Sequence, residues 1–355
     1  MSAVSYKCPN CGGDLQFEPT SQKFKCEYCF SEFTREEVEA ANPSKENTAQ
    51  ETESTHQKEA ADADGDAAWY QCPSCGAEII TDATTAATFC FYCHNPVILQ
   101  GKLSGEYRPE KIIPFAVSKK EAVDEFLKYV KKKKFIPRDF FCKEQIEKIS
   151  GVYFPFWEYD CRTEGEWQGE GTRVRIYRTG DMEHTETKVY RLEREAQVAF
   201  EELTRNALNK ENRQLVEAVQ PFQLKEIKDF SMEYLSGFLA EKRDIEKKDL
   251  IEELHQEVKK HSSDMVRSAV QGYDTVRTAT NEFQVAGEHW RYLLLPVWVL
   301  TYRGKNDKIY YYAMNGQTRK ISGELPIEKK KVLKLFLSVF VMVFLCMLLG
   351  GYFVW

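Results

Sequence analysis

The order of hydrophobic and polar positions divides the chain into a β-rich middle, one strongly helical stretch and an apolar C-terminus. Aromatic and β-branched residues alternate with polar ones across 152–160, 166–178 and 188–200, which predicts three strands. Between 231 and 271, apolar residues recur at helical spacing among glutamates and lysines, which predicts one long helix or two shorter ones. Two more strand-like segments follow at 293–302 and 308–326, with a tight turn at Asn315-Gly316.

A capping box and a short repeat organise this middle region. Ser118 and Glu121 have the spacing of a helix N-terminus, and apolar residues after them share one helical face. The segment FPFW, ending at Trp157, resembles LPVW, ending at Trp298, which suggests a degenerate structural repeat. Because proline lacks the N–H that a ladder needs, both segments are expected at sheet edges or strand starts. Residues 105–328 are therefore predicted to form an α+β domain.

The C-terminal segment 335–355 contains 21 residues and no charge. A helix of that length spans about 30 Å, the thickness of a bilayer core, so the segment is predicted to be a transmembrane helix. Four lysines in the basic juxtamembrane segment 329–334 precede it, which by the positive-inside rule leaves the N-terminal bulk in the cytoplasm. The sequence thus predicts a single-pass, tail-anchored protein of the cell membrane, and a buried core helix is the alternative.

The cysteines give the strongest chemical signal. Two C-x2-C pairs separated by fourteen residues occur twice, 64 residues apart, at Cys8, Cys11, Cys26 and Cys29 and at Cys72, Cys75, Cys90 and Cys93. Four thiolates at this spacing form a closed tetrahedral site, so we expect two structural Zn²⁺ ions in zinc ribbons at 1–35 and 68–104. His94 is the rival ligand, and disulfides are the alternative that an oxidising compartment would require.

Charge is unevenly distributed and bears on the partner. The chain has a net charge of −6, and residues 36–67 hold ten acidic residues against two lysines, which predicts a disordered acidic linker between the ribbons. The first ribbon sums to zero charge, whereas nucleic-acid binding depends on cations that neutralise phosphates. Its aromatic residues Phe24, Tyr28, Phe30 and Phe33 either fill the small ribbon core or stack on bases, and we expect the former.

Several longer motifs extend the pattern: CPNCGG with CEYC, CPSCGAE with CFYC, FPFWEYDC, FSMEYLSGFLAEK, LPVWVLTY and YYYAMNGQTRKISGELP. With these the chain resembles bacterial membrane proteins, mostly Gram-positive, that carry zinc ribbons of the transcription-factor-IIB type. Some relatives bear names of primosomal or helicase proteins. A helicase needs a G-x-x-x-x-G-K-[ST] loop, which this sequence lacks.

The sequence therefore predicts two small β zinc ribbons, an α+β cytoplasmic domain and one C-terminal transmembrane helix. We expect a membrane adaptor, not an enzyme, whose ribbons hold a cytoplasmic protein partner at the bilayer through 335–355, within an envelope-stress or membrane-organising complex. A membrane-tethered nucleic-acid-binding or transcription-related protein is the alternative. An enzyme with a pocket in the α+β domain comes third, because no HExxH pair or G-x-S-x-G motif occurs.

Overall fold

A computed structural model describes residues 3–42, 67–72, 78–82, 84–90, 96–99, 102–103, 107–137, 140, 142, 146–209, 213–303 and 308–354. The strands are β1 (Ala3–Val4), β2 (Leu15–Glu18), β3 (Lys23–Cys26), β4 (Glu32–Phe33), β5 (Ala67–Gln71), β6 (Glu78–Asp82), β7 (Thr85–Phe89), β8 (Pro96–Leu99), β9 (Lys111–Ile112), β10 (Ser150–Thr179), β11 (Met182–Asn206), β12 (Lys228–Asp229), β13 (Leu239–Glu241), β14 (Thr275–Arg303), β15 (Ile309–Asn315) and β16 (Ile321–Gly323). The helices are α1 (Arg35–Ala41), α2 (Lys119–Lys131), α3 (Arg213–Ala218), α4 (Lys247–Ala269) and α5 (Lys329–Val354).

One sheet dominates the described chain. Its path runs β1-β8-β7-β13-β10-β14-β15-β16, with β11 beside β10, β9 beside β14 and β12 beside β9. The predicted α+β class is therefore wrong, because the described residues are mostly β with five α-helices. The difference arises because residues 275–292, for which no strand was predicted, are part of β14, and because the predicted helix at 231–271 begins only at Lys247.

Strands β10, β11 and β14 form a three-stranded arm. At about 3.3 Å per residue, the 30 residues of β10 extend about 100 Å. From Cys161 to Gly171, odd-numbered residues of β10 are buried or half-buried and most even-numbered residues are exposed. Helix α4 covers the odd-numbered face, where the Thr163 hydroxyl lies 2.5 Å from that of Ser262. Because β10 is uninterrupted from Ser150 to Thr179, the predicted strands 152–160 and 166–178 are one continuous strand.

The predicted helix at 231–271 is shorter than expected. It begins only at Lys247, because residues 231–246 hold a 3₁₀ turn (Met232–Leu235) and strand β13. Gly237 lies between them with φ +90°, a conformation that ends any helix. The capping box at Ser118 and Glu121 is confirmed, with both of its hydrogen bonds present.

The expectation that both prolines lie at edges or strand starts is wrong, since Pro155 and Pro296 lie within the paired strands β10 and β14. Along one side, β10 pairs with β13 before Pro155 and with β11 after it. Along the corresponding side, β14 pairs with β9 before Pro296 and with β15 after it. Each proline therefore lies where one neighbouring strand replaces another, and no ladder requires its missing N–H.

The repeat suggested by the two tryptophans is confirmed, and it is more extensive than those motifs. The Trp157 indole N–H donates to Ile245 O (2.9 Å), and that of Trp298 donates to Val117 O (3.0 Å). Each acceptor directly precedes the N-cap of a helix, α4 or α2. The buried positions of the two helices also correspond when 128 is added to the residue numbers of α2: Ala122 matches Leu250, Phe126 matches Leu254 and Val130 matches Val258. The sheet is built from two interlocked halves, β9-α2-β10-β11 and β13-α4-β14-β15.

Helix α5 corresponds to the predicted juxtamembrane and transmembrane segments. Where the structure describes the chain, no helix has the length and apolar character that crossing a membrane requires. Four lysines lie within the first six residues of α5, so that end of the helix is strongly polar. By this finding the predicted transmembrane helix, the tail-anchored topology and the single-pass membrane location are wrong.

Candidate metal centre

The first two cysteine pairs form matching turns. In each turn the N–H of the first cysteine donates to the carbonyl of the residue five positions later. The N–H of the residue four positions later donates to the carbonyl of that first cysteine. The residue at that fourth position is Gly12 in the first turn, with φ +74°, and Phe30 in the second, with φ +59°. The same turn thus forms with and without glycine, at the cost of a strained φ at Phe30.

These turns bring Cys8, Cys11, Cys26 and Cys29 together. Their sulfur atoms all lie within 4.8 Å of one another. The Sγ atoms of Cys8 and Cys29 are 3.6 Å apart, and those of Cys11 and Cys26 are 3.5 Å apart. A tetrahedral ion with metal–sulfur bonds of about 2.3 Å needs sulfur separations of about 3.8 Å, whereas a disulfide needs about 2.05 Å. The donor set fits a thiolate-bound metal ion and excludes disulfides among these four cysteines.

The thiols influence one another strongly. Hydrogen bonding by the side chain and backbone of Ser31 lowers the pKa of Cys29 to about 6. The Gly13 backbone lowers the pKa of Cys11, but hydrogen bonds to Cys26 and Cys29 outweigh it and raise that pKa to about 12. Cys29 therefore loses its proton readily, whereas Cys11 keeps a proton that a cation would displace on binding.

Helix α1 closes the module that holds this cluster. Val38 is fully buried, and Asn42 exchanges hydrogen bonds with the backbone N–H and carbonyl of Lys7 (2.9 and 3.0 Å). The first residues of the predicted linker 36–67 are thus part of the folded module, and residues 43–66 lie outside the described residues. Cysteine module here means residues 5–42.

The second cysteine group is only partly described. Cys72 and Cys90 are buried in one cluster with Tyr70, Val97 and Leu99. Cys75 and Cys93, together with the rival ligand His94, lie outside the described residues. Strands β7 and β8 of this region are part of the main sheet.

The cysteine module packs against the main body, which the sequence did not predict. The Ser236 hydroxyl donates to Leu15 O, and the Phe17 N–H donates to Ser236 O (3.0 Å). The Phe17 ring contacts those of Tyr234 (centroids 5.2 Å apart) and Phe238 (6.5 Å). The motif FSMEYLSGFLAEK is therefore the docking segment of the module.

The aromatic residues of the module divide between two environments. Phe24 is 1% exposed, and Phe33 packs partly buried against the same core. Tyr28 and Phe30, on the second turn, are 70% and 71% exposed. The prediction that all four form the ribbon core is right for two of them and wrong for the two beside the metal cluster.

A second group of charges lies on the arm, beside Cys161 and outside the cysteine module. Arg291 contacts Glu158 (2.5 Å) and Asp160 (3.0 Å) beside a groove of about 270 Å³. Burial raises the pKa of Glu158, and the cation of Arg291 opposes that effect. These side chains bridge strands β10 and β14 at an irregularity in their pairing.

Together these features define a class: a mostly β protein whose duplicated sheet carries a docked four-cysteine module that can hold a metal ion. The chain is 33% identical over 329 residues to the uncharacterised protein YdjG of Bacillus subtilis (strain 168), covering 93% of this chain and 92% of that protein. It therefore belongs to the YdjG family. No protein-family model matches the chain. No solved structure matches it either.

Proposed function

We propose that this protein is a non-catalytic adaptor that binds a protein partner through the metal-held turn of its cysteine module. The observation that carries the proposal is the exposure of Tyr28 and Phe30, about 70% each, on a turn fixed by Cys26 and Cys29. Exposed aromatic side chains on a rigid support are typical anchors of protein interfaces. The opposite side of the module is buried against the main body, so this side faces outward.

The proposed metal is Zn²⁺, and the proposed number of ions is two. Four thiolates at tetrahedral spacing favour Zn²⁺ and leave no open coordination position for substrate. A second ion is supported by the repeated spacing and by the burial of Cys72 and Cys90 in one cluster. The proposed ligands are Cys8, Cys11, Cys26 and Cys29 for the first ion and Cys72, Cys75, Cys90 and Cys93 for the second.

The charge around the exposed aromatic residues favours a protein partner over nucleic acid. Lys23 and Lys25 on β3 are offset by Glu27, two residues after Lys25, and by Glu32, which lies opposite Lys25 in the β3–β4 ladder. Phosphate binding requires an excess of cations, and the chain as a whole carries −6. Stacking on bases is a separate outcome that the experiment below distinguishes.

Site-specific photo-crosslinking tests the proposal in intact cells. A photoreactive phenylalanine analogue at position 30 should crosslink one discrete protein, whereas the same group at Ile176, 61% exposed on the β10–β11 hairpin, should not. The double variant Tyr28→Ala/Phe30→Gly should lose that partner and keep its metal, because glycine suits the φ of +59° at position 30. Equal crosslinking at 30 and 176 would refute the adaptor. Nuclease-sensitive, salt-dependent products at 30 would replace it with nucleic-acid binding.

A further inference from the structure

One short segment, Ser236–Lys242, joins the cysteine module to the region of the second cysteine group. We call it the bridging segment. It follows the 3₁₀ turn, passes through Gly237 at φ +90° and includes strand β13. Both of its ends are fixed by parts of the chain that lie more than 140 residues earlier in the sequence.

On its first side the bridging segment contacts the metal module. The Ser236 side chain, which is 1% exposed, donates to Leu15 O and so depends on β2 for its acceptor. Leu15 pairs directly with Cys26 in the β2–β3 ladder. The Gln16 side chain lies 3.3 Å from the position that a Cβ on Gly237 would occupy. Loss of order around Cys26 would leave a buried serine hydroxyl without that acceptor, which destabilises the bridging segment.

On its second side the bridging segment pairs with β7. Ala240 lies opposite Ala87, and the Lys242 N–H donates to Thr84 O (2.7 Å). Strand β7 ends at Phe89, directly before Cys90. Cys26 and Cys90 are therefore connected through two strand ladders and one seven-residue segment.

The bridging segment also fixes the main sheet. Leu239 and Ala240 pair in parallel with Val152 and Tyr153 of β10. A three-residue strand held by a serine, a glycine and two short ladders has little stability of its own, so its order depends on both neighbours. It is one element through which an ordered cysteine module can stabilise β7, and the pairing of β1 with β8, the neighbour of β7, is a second and shorter connection.

We propose that the two cysteine groups bind metal cooperatively, with the bridging segment as the coupling element. The inference rests on the proposed second metal site. Metal at the first group orders β2 and β3, and these strands position Ser236. Ser236 in turn holds β13 against β7, the strand that ends directly before Cys90. By linkage, metal at the second group must raise the affinity of the first by the same factor.

The test measures Zn²⁺ affinity at each group in the full-length protein by competition with a chromophoric chelator. Cys26→Ser should weaken binding at the second group by roughly 5- to 150-fold, and Cys90→Ser should weaken the first by the same factor. In Ser236→Ala the coupling should shrink, and the β1–β8 pairing would carry what remains. Ser262→Ala, which removes another fully buried serine hydroxyl bond on the arm, is the matched control and should leave the coupling unchanged.

Native mass spectrometry of the wild-type chain covers the case in which a cysteine variant fails to fold. If binding is cooperative, the wild-type protein has a smaller population with one bound ion during the titration than Ser236→Ala has at the same concentration of free Zn²⁺. The coupling would be overturned, and the two-site proposal would stand, if the wild type binds two ions and the affinity of the remaining group changes less than twofold in Cys26→Ser and Cys90→Ser. A wild-type protein that saturates with one ion would overturn the second site and the coupling together.

Discussion

Replacing Phe17 by alanine should separate docking of the cysteine module from metal binding. Phe17 is 4% exposed, and its ring lies 5.4 Å from that of Phe24, 5.2 Å from that of Tyr234 and 6.5 Å from that of Phe238. Truncating a buried phenylalanine costs about 3–5 kcal/mol, which includes the cavity left behind. The edge-to-face contact with Tyr234 accounts for roughly 0.5–1.5 kcal/mol of aromatic interaction. The four cysteines are untouched, so the variant should keep its metal.

Chemical denaturation and hydrogen exchange measure this effect. We expect the unfolding free energy of Phe17→Ala to fall by about 3–5 kcal/mol, with faster exchange in β2, β3 and 236–238. Exchange along the arm at 163–171 should not change, because no Phe17 contact reaches it. Phe30→Gly is the control on the same module: its ring is 71% exposed and glycine suits the φ of +59°, so the variant should lose no more than about 0.5 kcal/mol of unfolding free energy. A loss below about 1 kcal/mol in Phe17→Ala would refute the docked arrangement.

Two further predictions concern a buried carboxyl group and a crowded glycine. Burial raises the pKa of Glu233, so the fold favours its neutral carboxyl group. The stability that the neutral group confers is complete below about pH 4.3, the ordinary pKa of a glutamate, and is lost as pH rises. Glu233→Gln should therefore raise the melting temperature at pH 7–8 and converge with wild type toward pH 4; an equal shift at both pH values would contradict the burial argument. Gly165→Ala should destabilise the arm by about 1–3 kcal/mol, because a Cβ there would lie 2.0 Å from Glu282 O. Thr187→Ala, at an exposed position of the same arm, is the comparison in circular-dichroism melts, and equal stability of the two variants would contradict the close approach.

The docked module changes what an adaptor role requires. A module on a flexible tether presents its surface in many orientations, and a partner must pay the ordering entropy on binding. Here Leu15 and Phe17 are fixed against the main body, so Tyr28 and Phe30 keep one orientation relative to the sheet. A preorganised surface of this kind favours one partner geometry and ties partner binding to metal occupancy.

The duplicated sheet explains how such a long arm is anchored. Each half contributes one tryptophan whose N–H reaches the loop before the other half's helix, so the halves cannot separate without breaking both bonds. Buried Asn206 and Asn315 occupy matching places at the ends of β11 and β15, and each accepts a bond from a backbone N–H two residues on. The arm strands extend from this interlocked base.

The sequence by itself determined the features that depend on neighbours a few residues apart. The cysteine turns close through hydrogen bonds spanning four and five residues, so their spacing predicted the cluster of Cys8, Cys11, Cys26 and Cys29. The capping box at Ser118 and Glu121 is local in the same sense, and the two tryptophan motifs carried a readable trace of the repeat.

Only the tertiary structure decided the features that depend on distant segments. Pro155 and Pro296 lie inside the sheet because neighbouring strands change over beside them, which no local pattern encodes. Residues 231–246 have helical periodicity, but docking of the module and pairing with β7 hold them as a turn and a strand. The exposure of Tyr28 and Phe30 likewise follows from which face of the module meets the main body. Composition indicates that an aromatic residue can be buried, and the packing of separate segments decides whether it is.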